Sequence, residues 1–115
     1  MAQVLAFGDI PPARARQRTA AVNGAPGAVI STFFKGGADD PHAALNEYEP
    51  GEVRSSAPHF HQVDQFQLVL RGRGTLGRHL AVPNTVHFSR AFTPYGPLHS
   101  DKVAGWAFIV MRAHL

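Results

Sequence analysis

A chain of 115 residues, 44% hydrophobic and 17% charged, is long enough to bury one core and too apolar to stay disordered. It has no cysteine, which excludes disulfides, thiolate metal sites and cysteine nucleophiles together. The net charge of +3 does not call for a polyanionic partner, because Arg14, Arg16 and Arg18 lie close together without interleaved aromatic residues; they read as a solvated connecting segment and not as a nucleic-acid arm.

Val4 to Phe7 is a short apolar run that reads as an edge strand. The stretch from Met1 to Ile10 gives way to Pro11-Pro12 without the pattern of a secretory leader, and no apolar run approaches the roughly 18 residues of a membrane span. A cytoplasmic protein with no membrane or nucleic-acid partner is expected. Pro11 to Gln17 is irregular, Asn23 to Gly27 is a turn cluster, and Ala28 to Phe34 is rich in β-branched and aromatic residues and reads as a strand. Ala43 to Glu49 suits a helical turn or a strand, and the Pro50-Gly51 closure favours a strand.

Gln65 to Leu70 alternates strictly, so that Gln65, Gln67 and Val69 share one face and Phe66, Leu68 and Leu70 the other. Thr75 to Leu80 reads as its hairpin partner beyond Gly72-Arg73-Gly74. Thr85 to Phe92 and Gly105 to Arg112 are the last two strand candidates. Eleven glycines and nine prolines scattered between short apolar runs, with no helical period, predict an all-β sandwich or barrel spanning 1–115 as a single domain.

His59 and His61 stand at i and i+2 on extended chain, so both imidazoles face one side and can reach one metal ion. Pro94-Tyr95-Gly96-Pro97-Leu98-His99 supplies a third histidine, His99, after a tight turn. Gly51, His59, His61, Gln65 and Gly72 together resemble the first motif of the cupin superfamily. Pro94, Gly96 and His99 resemble its second, with Val103 where an asparagine is expected; the two motifs occupy about 51–72 and 86–103. The resemblance implies a cupin-type jelly-roll β-barrel, the double-stranded β-helix, with one divalent metal held by His59, His61, Gln65 and His99. Zinc is favoured; iron, nickel or manganese also suit such donors.

Gln65 stands where the family has an acidic ligand. Its neutral amide leaves the metal charge uncompensated and favours an anionic or enolisable small-molecule substrate, and some bacterial polyketide cyclases among the cupins have similar histidine–glutamine zinc sites. Asp64 is the rival oxygen ligand. The expected activity is that of a small metalloenzyme, a cyclase, isomerase or lyase; the alternatives are an Fe(II) dioxygenase and a non-catalytic ligand- or metal-binding module. His87 is the candidate proton carrier, Gln67 the residue that orients a substrate carbonyl, and Tyr95 projects toward the mouth. His42, His79 and His114 read as surface residues. The apolar face Phe66, Leu68 and Leu70 needs cover, and a homodimer is expected.

Overall fold

The computed structural model describes residues 4, 7–11, 15–18, 28–35, 41–51 and 55–113. Asn23 to Gly27, Arg14 and His114 lie outside them, as do Leu5 and Ala6 of the expected first strand; its other two residues are not in a strand, since Val4 has no regular structure and Phe7 opens a 3-10 turn, Phe7–Asp9. The strands run β1 Gln17–Arg18, β2 Val29–Lys35, β3 His42–Tyr48, β4 Ser55–Ser56, β5 Asp64–Gly72, β6 Gly74–Leu76, β7 His79–Ala81, β8 Val86–Ser89, β9 Leu98–Ser100 and β10 Trp106–Ala113. Among the described residues there is no α-helix, and no helix is long and apolar enough to cross a membrane. The all-β expectation is met.

Two sheets form, a six-stranded one in the order β1-β2-β3-β10-β5-β8 and a four-stranded one in the order β4-β9-β6-β7. Within the larger sheet β10 is antiparallel to both β3 and β5. Period-two alternation along β10 turns Trp106, Phe108 and Val110 inward, where they meet Val69 of β5 and Leu76, Ala81 and Leu98 of the smaller sheet. Tyr48 stacks on Trp106 with ring centroids 6.0 Å apart. This apolar block fills one end of the interior, and the inward positions at the other end carry polar side chains.

One expected pairing is corrected. Residues 75–80 are not the hairpin partner of β5. Gly77 takes a left-handed conformation (φ 59°) and splits the run into β6 and β7, which pair with each other, while β6 also pairs with β9. The partners of β5 are β10 and β8. A register shift between Ala107 and Phe108 marks a bulge in β5; the extra residue leaves Leu70 and Arg71 both exposed.

The outer face of the large sheet holds a carboxylate. Glu47 is 8% exposed and lies between Arg16 at 3.1 Å and Arg71 at 3.2 Å. The Arg16 amide donates to Ser31 Oγ at 3.0 Å, and Ser31 is fully buried. Arg16 is therefore not the freely solvated residue its neighbourhood suggested; it fastens the N-terminal segment to the sheet.

Candidate functional site

At the polar end of the interior, the register of the large sheet sets side chains in rows. Arg112 of β10 lies opposite Gln65 of β5, which lies opposite Ser89 of β8. One step further in, Val110, Gln67 and His87 form the next row. Gln65 and Gln67 are buried while Phe66 and Leu70 on the alternate positions are exposed, which is the facing expected from the sequence. His59 and Tyr95 come from the opposite wall, joined by an isolated antiparallel bridge.

The hydrogen bonds fix the orientation of each group. A guanidinium only donates, so the 2.7 Å contact from Arg112 Nε ends on Gln65 Oε1. Gln65 Nε2 then donates to Tyr95 Oη at 2.8 Å. Tyr95 Oη lies 3.1 Å from His61 Nε2 and directs its own proton there. All donors in the chain Arg112, Gln65, Tyr95, His61 point one way, and such chains polarise cooperatively. The second Arg112 nitrogen is 3.4 Å from His61 Nε2, so this nitrogen must present its lone pair. Elsewhere His59 Nδ1 donates to the Ala57 carbonyl at 2.9 Å. His87 Nδ1 donates to Gln67 Oε1 at 3.0 Å, so its Nε2 carries the lone pair. The Tyr95 ring lies 4.8 Å from His59 and 5.1 Å from His87 between centroids.

Burial, then the Arg112 charge and then His59, push the His61 imidazole from 6.5 down to about 4. Burial, followed by His79, also lowers His87, and burial raises the Tyr95 hydroxyl. At neutral pH the two imidazoles are neutral and the phenol keeps its proton. An unfolded chain binds a proton at His61 near pH 6.5 that the folded chain refuses until about pH 4. The stability due to this group is thus complete above pH 6.5 and is lost as pH falls from 6.5 toward 4. Urea midpoints measured from pH 7.5 to 4.5 should fall with acidity, and His61→Gln should flatten that fall; an unchanged slope in the variant would contradict the assignment.

Four expected site residues, His61, Gln65, Tyr95 and the half-buried His59, come together, and the Gln67–His87 pair adjoins them. His99 does not. Leu98 belongs to the core, so alternation along β9 turns His99 outward, where it is exposed. Asp64 does not join them either: alternation along β5 puts it on the face opposite Gln65, beside Phe66 and Met111, and its Oδ1 accepts the Ala91 amide at 2.8 Å. His42, expected at the surface, is half-buried opposite Arg112 in register, whereas His79 is exposed. The residue that sequence reasoning missed is Arg112. Its signal is parity: it stands on the same side of β10 as Trp106, Phe108 and Val110.

These donors do not fit the expected metal. Among the described residues no three His, Asp or Glu side chains are grouped to hold one. Gln65 Oε1 is occupied by Arg112, and a guanidinium beside His61 Nε2 repels a cation at the position where it would bind. What the cluster can do instead is receive a negative charge. Among the described residues no carboxylate lies within 4.0 Å of Arg112, although burial costs this guanidinium enough to lower its pKa. Beside the cluster lies a cleft of about 550 Å3 whose wall includes Tyr95 and His87, within the range of small-molecule sites.

No family model matches the sequence, and no curated protein does. Solved structures do match. A cupin-like protein from Thermotoga maritima aligns at TM-score 0.62 and 15% identity over 77% of this chain and 70% of its own. A Cupin_2 domain of an XRE-family transcriptional regulator from Enterobacter cloacae aligns at 0.58 and 14% over 76% and 97%. A protein described as a sugar phosphate isomerase from a cupin superfamily, from Silicibacter pomeroyi, aligns at 0.56 and 24% over 75% and 60%.

Proposed function

The chain has the cupin fold, and from that premise we propose that it binds a small organic oxyanion at the polar end of its barrel and moves a proton on it without a bound metal. The observation that carries this reading is Arg112, a half-buried cation that donates to Gln65 and meets no carboxylate among the described residues. Electrostatic stabilisation of a developing enolate needs such a preorganised charge. The Silicibacter pomeroyi protein, described as a sugar phosphate isomerase, supports the substrate class by analogy of fold.

Isomerisation or epimerisation next to a carbonyl needs a base to remove the carbon-bound proton and an acid to return one. His87 suits the base: Gln67 holds its Nδ1 proton, which puts the lone pair on Nε2, and burial keeps it neutral. Tyr95 suits the acid, because burial keeps its hydroxyl protonated. Arg112 takes the charge that forms on the carbonyl oxygen as the carbon–hydrogen bond breaks. The imidazolium and phenolate left after the proton is returned regain their starting forms by proton exchange with solvent.

The test combines elemental analysis with calorimetric titration of a panel of small carboxylates and phosphate esters. Expected are substoichiometric zinc, iron, nickel and manganese, and binding of at least one anion that Arg112→Gln weakens. Stoichiometric metal, lost in a His59→Ala/His61→Ala variant, would restore the metalloenzyme reading; anion binding without exchange of any carbon-bound proton into deuterium oxide would make the protein a binder and not a catalyst.

We infer further that the partner is a second copy of the chain. Phe66, Leu70, Val86, Phe88 and Met111 are all exposed on the outer face of β5, β8 and β10, with Phe66 and Phe88 ring centroids 4.8 Å apart. A contiguous apolar face of this kind marks an interface, and a two-fold axis allows one patch to cover itself. Sedimentation equilibrium is expected to give a dimer that Phe66→Glu/Phe88→Glu converts to a monomer. A parent chain monomeric at every concentration would sink the inference.

A further inference from the structure

The cleft beside Tyr95 carries charge that the proton-transfer reading does not use. Its wall includes Arg78 of the β6–β7 turn and His79 of β7; β8 contributes His87 and Val86, and Tyr95 lines it as well. Arg78 and His79 are exposed, and among the described residues neither forms an ion pair with a carboxylate. His79 is near enough to His87 for its charge to act on that ring. One permanent cation, Arg78, and the His79 imidazole therefore stand at a cleft of about 550 Å3, and within that wall there is no acidic side chain.

We propose that this rim is the anchoring site for a phosphate monoester, so that the substrate of the site above is a phosphorylated small molecule whose reacting end lies at Tyr95 and Arg112. The inference rests on the proton-transfer reading only for the identity of that reacting end. A carboxylate tail brings one negative charge, which Arg78 alone balances. A phosphate monoester brings nearly two, with three acceptor oxygens, and matches a planar guanidinium fork together with the His79 ring. Tyr95 joins the two halves. Its ring lines the cleft and its hydroxyl belongs to the hydrogen-bonded chain from Arg112 to His61.

The experiment is a calorimetric titration at low ionic strength with three probes: inorganic phosphate, glycerol 3-phosphate and succinate. It is run on the parent, Arg78→Gln/His79→Gln and Arg112→Gln. Both rim positions are exposed, so the double variant should keep the parent's thermal midpoint. Expected is a tenfold or greater loss of phosphate and glycerol 3-phosphate affinity in the rim variant, with succinate little changed. Phosphate affinity unchanged in the rim variant, or succinate bound as tightly as glycerol 3-phosphate and equally weakened, would overturn the proposal. Arg112→Gln separates the two readings: if it leaves every probe unaffected while the rim variant loses phosphate, the phosphate anchor stands and the Arg112 reading fails. If Arg112→Gln weakens succinate and the rim variant changes nothing, the reverse holds.

Discussion

Gly72→Ala should destabilise the fold by about 3 kcal/mol, enough to remove a large share of the stability of a domain this size. Two costs add. Gly72 has φ 69°, and a residue with a Cβ in that region costs roughly 1–2 kcal/mol. The Cβ would also run into the Gly105 carbonyl oxygen, with the Gly105 carbonyl carbon at 2.7 Å and the Ala104 oxygen at 3.0 Å. Backbone cannot swing aside as a flexible side chain does, and overpacking of this sort adds about 1–3 kcal/mol. Gly72 is where β5 ends beside Trp106, so any retreat is felt in the core. Gly51 provides the comparison: its φ is 88° but nothing lies within 4 Å of an added Cβ, so Gly51→Ala should carry the backbone cost alone, about 1 kcal/mol. Urea midpoints of the two variants, with slopes equal to the parent's, measure the difference. Equal losses would mean that the close approach of Gly72 to Gly105 is not rigid.

Alternation is why so much of the architecture was legible. Gln65, Gln67 and Val69 declare a face because each intervening residue is a large apolar one, and β5 has the register that this pattern demands. The same rule would have exposed Arg112, three steps of two along β10 from Trp106, had the charged end of an apolar strand not looked like a simple exit to solvent. His99 failed for a related reason. A motif match gives the distance from a turn to a histidine but not the parity on which the strand leaves that turn, and Leu98, one residue earlier, fits the core better than an imidazole does. The break between β6 and β7 was hidden because Gly77 sits in a run short enough to read as one strand. Nothing in the order of residues announces that Tyr95 reaches Gln65 and His61, since that contact depends on how two sheets face each other.

Gln65→Glu should not create a metal centre, although it restores the acidic residue of the cupin motif. In the present register Gln65 Oε1 is 2.7 Å from Arg112 Nε, so a carboxylate there forms an ion pair with the guanidinium before any cation arrives. The pair would satisfy the charge that the proposed ligand is meant to satisfy, and it would end the donation from Gln65 Nε2 to Tyr95 Oη, because an ionised carboxylate only accepts. Removing one partner of a hydrogen-bonded charge interaction at a binding site costs about 2–5 kcal/mol, and neutralising it in advance acts in the same direction. The expected result is roughly a hundredfold or greater loss of anion affinity at about 3 kcal/mol, with zinc uptake no higher than in the parent and no loss of thermal stability. Adding Arg112→Met to the same variant removes the cation that excludes a metal and returns a free carboxylate beside His59 and His61; zinc uptake is then expected to rise. If Gln65→Glu alone binds zinc stoichiometrically, Arg112 does not hold the position the geometry gives it and is not the group that receives the anion.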